Sequence, residues 1–192
     1  MTKILIATIG LSISVVAQAP TIPEIAAKHR GKTITVAPVI PTLPPLTLSD
    51  FVDKSDVIMV GRLSLRRAYL SGSEHHVYSE FVVIPRQTLV DKTGFWSRNP
   101  SATLTLYGGE ITIGTTTVRR FELEQRRVQT EKDYLLFLSS DQNRGALIPS
   151  YGTASVFEVL DSGRLACIAS HVQLKDVQGE KLDAVVRRIS MR

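Results

Sequence analysis

The sequence predicts a mainly β fold: a small antiparallel barrel with a short helix before it and an amphipathic helix after it. Segments with strand patterns recur between residues 57 and 169, separated by turn sequences. One of them, residues 134–138, is apolar throughout, as is typical of a central strand covered on both faces. Short strands between terminal helices favour a closed or nearly closed barrel. The last helix is predicted from apolar residues at helical spacing: Leu182, Val185, Val186 and Ile189.

The individual elements follow from local patterns. A helix is predicted at residues 47–55, because Thr47 can cap it and Asp50 stands three positions later. The strand at 57–65 begins as an apolar run and then alternates, with a bend expected at Gly61. A hairpin loop at 70–75 follows, and a turn is expected at Gly108. Further strands are predicted at residues 77–84, 102–107, 111–113, 134–138, 146–149, 155–160 and 165–169.

Residues 1–19 have the pattern of a cleavable secretory signal peptide. Lys3 supplies a positive charge, residues 4–16 form an uncharged apolar run, and Ala17 and Ala19 occupy the positions where a signal peptidase requires small residues. A membrane anchor is the alternative, but the run is shorter than the about 20 residues that span a bilayer. We therefore expect cleavage after Ala19, no membrane span in the mature chain, and a secreted or periplasmic protein.

Residues 20–46 are predicted to form an extended tail, followed by a barrel domain at residues 47–192. Six of the nine prolines fall between residues 20 and 45, which is too dense for a regular helix or a central strand. Residues 32–36 alternate, so this part of the tail could add to the edge of a sheet.

Cysteine and charge content indicate a domain stabilised by its core. Cys167 is the only cysteine, so no intramolecular disulfide can form, and its apolar neighbours indicate a small buried residue rather than a nucleophile. The net charge is +5. The dispersed arginines favour a solvated surface over a polyanion site. They are Arg62, Arg66, Arg67, Arg119, Arg120, Arg126, Arg127, Arg187 and Arg188.

The hairpin tip from Gly72 to His76 is one candidate binding site. His75 and His76, with Glu74 and Glu80 nearby, include the donor types that zinc and copper prefer. Adjacent residues of a strand point to opposite faces, so both rings could reach one ion only within the loop. A solvated hairpin tip explains the pair more simply, and no metal or other cofactor is assigned.

Phe95 and Trp96 are the other candidates for contact with a partner. They are large apolar residues in a polar segment bounded by Pro100, an unusual place for exposed rings. Alternatively, Trp96 plugs one end of the barrel.

Enzymatic and nucleic-acid functions receive less support. The sequence contains no Gly-x-Ser-x-Gly elbow, His-Glu-x-x-His helix or phosphate-binding loop, so no catalytic residue is assigned. The basic chain could stack bases on Tyr69, Tyr78, Tyr107 and Phe121. Export argues against this function, and most of these rings stand in patterns typical of a core.

Three motifs follow one another in a distinctive order. The first is the helix and strand at residues 51–63, which contain Asp56-Val57-Ile58 and then Gly61-Arg62-Leu63. The second is the strand at residues 78–84. The third is Glu131-Lys132-Asp133-Tyr134, which leads into an apolar strand. This order resembles exported bacterial proteins of unassigned function. It also resembles the netrin-like module, the OB-type barrel of tissue inhibitors of metalloproteinases, over roughly residues 47–170. The resemblance implies an OB-type fold.

The inhibitory mechanism of that family does not carry over to this chain. Those inhibitors chelate the protease zinc through an N-terminal cysteine, whereas this chain has no cysteine before Cys167. The sequence therefore predicts an exported, non-enzymatic binding module that recognises a protein or cell-surface partner through loops at one end of the barrel. A small extracellular hydrolase or protease inhibitor is the alternative.

Overall fold

The computed structural model describes residues 19–36, 44–121, 125–169 and 172–192. The predicted signal peptide lies outside these residues except for Ala19. The helices are α1 (Ile22–Lys28), α2 (Leu48–Lys54), α3 (Phe95–Arg98) and α4 (Leu182–Ser190). The strands are β1 (Thr33–Thr35), β2 (Val57–Leu70), β3 (Val77–Asp91), β4 (Ala102–Tyr107), β5 (Gly109–Ile113), β6 (Thr116–Arg120), β7 (Asp133–Asp141), β8 (Ala146–Thr153), β9 (Val156–Val159) and β10 (Leu165–Cys167). Within the described ranges, every helix falls short of the length and apolar character that crossing a bilayer requires.

Five strands form a closed barrel in the order β2, β3, β4, β8, β7 and back to β2. Neighbouring strands are antiparallel, except that β4 and β8 run parallel. Five strands paired in this way form an OB-type barrel. The predicted fold class is therefore confirmed, including a short helix before the barrel and a helix at its end.

The strand patterns place two cores on opposite sides of the barrel wall. Alternate residues of the five strands fill the interior, among them Met59, Leu104 and Leu136. On the outside, β2 and β7 pack against α2, α4 and the added strands β9 and β10, with Phe137 and Phe157 at the centre. Strand β7 is therefore apolar on both faces, as predicted from its unbroken apolar run.

Helix α2 confirms the prediction made from its capping residues. The Thr47 side chain accepts a hydrogen bond from the Asp50 backbone N–H, and the Asp50 carboxylate accepts one from the Thr47 backbone N–H at 2.7 Å. The Thr47 hydroxyl also donates to the Asp50 carboxylate at 2.6 Å, and this bond, together with that from the Thr47 backbone N–H, lowers the pKa of the Asp50 carboxyl. The reciprocal cap fixes where the helix begins, so Phe51 enters the outer core fully buried.

Strands β2 and β3 form a hairpin much longer than the sequence patterns predicted. Its register shifts three times, between Ile58 and Met59, between Val60 and Gly61, and between Leu65 and Arg67. The shift at Gly61 confirms the predicted bend. A Cβ atom at position 61 would lie 2.8 Å from the Ile84 carbonyl oxygen, so only glycine lets the strands approach this closely.

The prediction of an extended tail is wrong for its first part, because Ile22–Lys28 forms α1. Pro23 lies in the first helical turn, where the missing N–H costs no hydrogen bond, and Thr21 caps the helix with Glu24. The expectation of an added strand is confirmed: β1 pairs in parallel with β6, which pairs with β5 in a second, three-stranded sheet. Residues 37–43 lie outside the described part. The boundary of the barrel domain at residue 47 stays a prediction.

The close approach at Gly61 predicts a stability difference between two glycine substitutions. Gly61→Ala should lower the free energy of unfolding by about 1–3 kcal/mol, because the added methyl group forces β2 and β3 apart. Gly72→Ala is the matched control, since its Cβ would meet nothing within 4 Å. Urea unfolding measures both, and equal effects would contradict the packing argument.

Candidate binding surface

The outer face of β4 and of β3 at residues 78–84 is a part of the barrel wall that the helices leave uncovered. Inward residues of β3, such as Ser79, Phe81 and Val83, are buried, whereas the outward residues Val82 and Ile84 are exposed at 36% and 44%. On β4, Thr103 and Thr105 alternate with buried leucines in the same way. This exposed face continues across β8, where Ile148 is 51% exposed.

Three tyrosines form a row across this face where it approaches the hairpin tip. Tyr69 on β2 pairs with Tyr78 on β3, which pairs in turn with Tyr107 on β4. The ring centroids of the first pair lie 6.0 Å apart, and those of the second pair 5.7 Å apart in an edge-to-face arrangement. The His76 ring contacts Tyr107 with centroids 5.6 Å apart. We call these four side chains the tyrosine surface.

The sequence patterns suggested that most of the four rings Tyr69, Tyr78, Tyr107 and Phe121 belong to the core, which is wrong, since all four are half-buried. Each tyrosine of the row is half-buried rather than buried. Tyr78 alternates with the inward residues Val77 and Ser79, so its ring points outward. Phe121 does not belong to the row, and its ring instead lies under the guanidinium of Arg127.

Hydrogen bonds and charge fix the polar side of the tyrosine surface. Arg120 Nε donates to the Tyr107 hydroxyl at 2.9 Å, and His76 Nδ1 lies 3.4 Å from the same oxygen. Partial burial lowers the pKa of His76, and the positive charges of Arg120 and, when protonated, His75 lower it further. The uncharged form of His76 is therefore favoured, and in this form its ring presents a polar edge without charge.

A buried carboxylate holds two arginines beside the tyrosine row. Glu80 on the outer face of β3 is only 9% exposed. Its two oxygens accept hydrogen bonds from Arg66 Nη1 and Arg67 Nη2, each at 3.0 Å. Arg67 in turn lies 5.2 Å from the centre of the Tyr69 ring. Two arginines on one glutamate leave an excess positive charge beside the tyrosines.

A groove of about 530 Å³ runs from the tyrosine surface towards β8. Tyr69 and Tyr78 form one wall, Ile148 and Ala146 the other, and Thr105 contributes to the lining. At the far end, Asp141 and Arg144 form an ion pair with a separation of 3.7 Å. The groove thus combines aromatic and aliphatic walls with a few polar groups, which is typical of ligand-binding clefts.

The hairpin tip lies directly beside the tyrosine surface, but its parts differ in accessibility. Gly72 is exposed, and His75 and His76 are half-buried. The tip is held by α1, because the Ile22 N–H donates to the Glu74 carbonyl oxygen at 2.9 Å. Among the described residues, no group of three His, Cys, Asp or Glu side chains is placed to hold a metal ion.

Phe95 and Trp96 pack against the interior of the barrel. Phe95 is fully buried there, and the Trp96 ring meets it edge to face with centroids 5.4 Å apart. The Asp91 carboxylate holds both residues in α3, since it accepts hydrogen bonds from their backbone N–H groups at 2.8 and 3.1 Å. Phe95 is thus inaccessible to a partner, and the packing of Trp96 matches the interpretation that it plugs the barrel.

Many of the dispersed arginines form specific ion pairs rather than a freely solvated surface. Besides the pair on Glu80, Arg126 Nη2 lies 3.0 Å from a Glu158 oxygen that is almost fully buried. Further ion pairs join Arg62 to Asp133, Arg119 to Glu110 and Arg188 to Asp176.

The described serine hydroxyls and Cys167 lie in different environments. In the described part of the chain no serine hydroxyl is hydrogen-bonded to a histidine ring, the contact that activates a serine nucleophile. Cys167 is buried in the outer core, and its Sγ lies 3.6 Å from the Ala154 carbonyl oxygen. Its position agrees with that of a small core residue.

Comparisons with models of protein families, with curated protein sequences and with solved structures find no match. The resemblance to netrin-like modules therefore stays a prediction.

The environment of His76 predicts a pH dependence of stability. Its pKa in the folded chain lies below its ordinary value, so the unfolded chain takes up a proton first as the pH falls. The contribution of His76 to the free energy of unfolding is therefore present above about pH 6.5 and is lost as the pH falls below this value. Urea unfolding at about pH 7.5 and about pH 5.5 should show a smaller difference for His76→Gln than for the wild type.

His29→Gln serves as the control, because His29 is exposed and lies outside the tyrosine surface. An unchanged pH difference in His76→Gln would contradict the assignment to His76.

Proposed function

We propose that this chain is an exported, non-enzymatic binding module that recognises a protein or cell-surface partner at the tyrosine surface. The proposal depends mainly on one observation, the row of three half-buried tyrosines on the uncovered barrel face. Tyrosine is enriched at binding sites, because its ring buries a large apolar area while its hydroxyl keeps a polar contact. The adjacent hairpin tip then supplies the loop contacts expected at one end of the barrel.

The geometry around the row supports binding in two further ways. The rings are held by neighbours, Tyr107 by Arg120 and Tyr69 by Arg67, so little side-chain entropy is lost on association. The groove beside them offers exposed apolar area at Ile148, which a partner can cover. The surface is thus ordered before a partner arrives.

The charge near the row favours a polar or acidic partner. Arg66 and Arg67 are about 60% exposed although both contact Glu80, so each guanidinium keeps accessible donors. Such donors bind carboxylates and phosphates in a fixed planar geometry. Nucleic acid is disfavoured for an exported protein, and a steep fall of affinity with salt would reveal it.

Titration of the labelled protein onto cells of the producing organism tests this function. Tyr78→Ala should weaken saturable binding by about tenfold or more, because Tyr78 lies at the centre of the row. Tyr78→Phe is the matched control and should keep most of the affinity, since the ring packing is retained. Protease treatment of the cells separates a protein partner from other surface components.

A Tyr78→Ala variant that unfolds like the wild type and binds with the same affinity would contradict the proposal. Loss of binding in both variants would show that the hydroxyl, rather than the ring, makes the contact.

A further inference from the structure

A second groove lies on the opposite face of the same hairpin. Side chains alternate along a strand, so Ala68 and Ser79 point away from the face that carries Tyr69 and Tyr78. Strand β5 crosses this side of the hairpin, and the space between them is a groove of about 410 Å³. The groove is separate from the tyrosine surface, and its volume is within the range of small-molecule sites.

The walls of this groove are mainly apolar. Leu65 and Phe81 form the hairpin side, and Phe121 and Val128 form the opposite side. Leu65 is 54% exposed, an unusual exposure for a large aliphatic side chain in a strand. Strand β5 packs closely against the hairpin at Gly109, where a Cβ atom would lie only 2.5 Å from Ser79 Oγ. The absence of a side chain at Gly109 therefore permits this close approach.

The hydroxyl groups that line the groove are already hydrogen-bonded. Ser79 Oγ donates to the Gly108 carbonyl oxygen at 2.8 Å, and Thr112 Oγ1 lies 3.4 Å from Thr117 Oγ1. A peptide in this groove would leave some of its own polar groups without partners, which is costly. An alkyl chain makes no such demand, so the lining favours an aliphatic occupant.

Among the described residues, one positive charge at the groove has no acidic partner of its own. Glu110 is engaged by Arg119, whose Nε lies 2.6 Å from Oε2, while Arg127 Nη2 is 3.9 Å from the same oxygen. Among the described residues, Arg127 makes no hydrogen bond; its guanidinium lies 5.0 Å from the centre of the Phe121 ring. In the described part of the chain, two arginines thus face one glutamate here, and this excess of one positive charge matches a single carboxylate.

We propose that this groove binds an amphiphilic monocarboxylate, a free fatty acid with its alkyl chain along Leu65 and Phe81 and its carboxylate on Arg127. The apolar walls supply most of the affinity, and the planar guanidinium fixes the orientation of the headgroup.

Calorimetric titration of the full chain with octanoate, below its micelle concentration, tests this site. Binding should be saturable, and hexanoate should bind more weakly by about fourfold for each missing methylene. Arg127→Gln should weaken octanoate binding by about tenfold and leave octanol binding unchanged, because only the carboxylate contact is lost. Leu65→Ser should weaken the binding of both ligands.

Two control variants establish that octanoate binds in this groove. Arg187→Gln removes the same charge on α4, outside the groove, and should leave octanoate binding unchanged. Tyr78→Ala should also bind octanoate normally, so this test and the test of the tyrosine surface can fail independently. Leu65 and Arg127 are both more than half exposed, so their variants should fold.

Two results would overturn the proposal. One is the absence of saturable octanoate binding to the wild type. The other is equal octanoate affinity in Arg127→Gln and the wild type.

Discussion

The antiparallel pairing of β2 with β3 is the interaction on which the rest of the structure depends. Residues 57–62 of β2 pair with β7 and residues 78–83 of β3 pair with β4, so both strands belong to the barrel wall, and the hairpin continues beyond these pairings to its tip. There they support the three-stranded sheet and α1, through a small core that contains Val77 and Ile22. A pairing this long must bend, and the register shifts supply the bends. Gly61 permits one of them, because no side chain stands against the Ile84 carbonyl.

The hairpin also determines which part of the barrel wall stays open. Helices α2 and α4 cover the outer side of β2 and β7, where both faces of each strand are apolar. The outer side of β3 at residues 78–84 carries Tyr78, Glu80 and Val82 instead, and the helices leave this part uncovered. A sheet with one covered face and one open face is a normal outcome of antiparallel pairing. The candidate binding surface thus results from the distribution of apolar residues between neighbouring strands.

Local signals in the sequence predicted most of the elements but not the tyrosine surface. The capping residues Thr47 and Asp50 predicted α2, and an unbroken apolar run predicted β7. Helix α1 was missed, because the density of prolines was given more weight than the tolerance of a helix for proline in its first turn. The outward position of Tyr78 was recoverable from its alternation with Val77 and Ser79. The contact between Tyr69, Tyr78 and Tyr107 could not be predicted from the sequence, because it depends on the register of three strands.

The alternation of side chains explains how one hairpin carries two surfaces of different chemistry. Tyr69 and Tyr78 point to one face and Ala68 and Ser79 to the other, so an aromatic polar surface and an apolar groove lie back to back. A shift of one residue in register would exchange the two faces. The bulge after Leu65 therefore determines which side chains form the tyrosine surface and which line the apolar groove. The arginines on the two sides are held by different acids, Glu80 and Glu110. Because the surfaces share a backbone but no ion pair, a substitution on one face can change its chemistry while the other keeps its geometry.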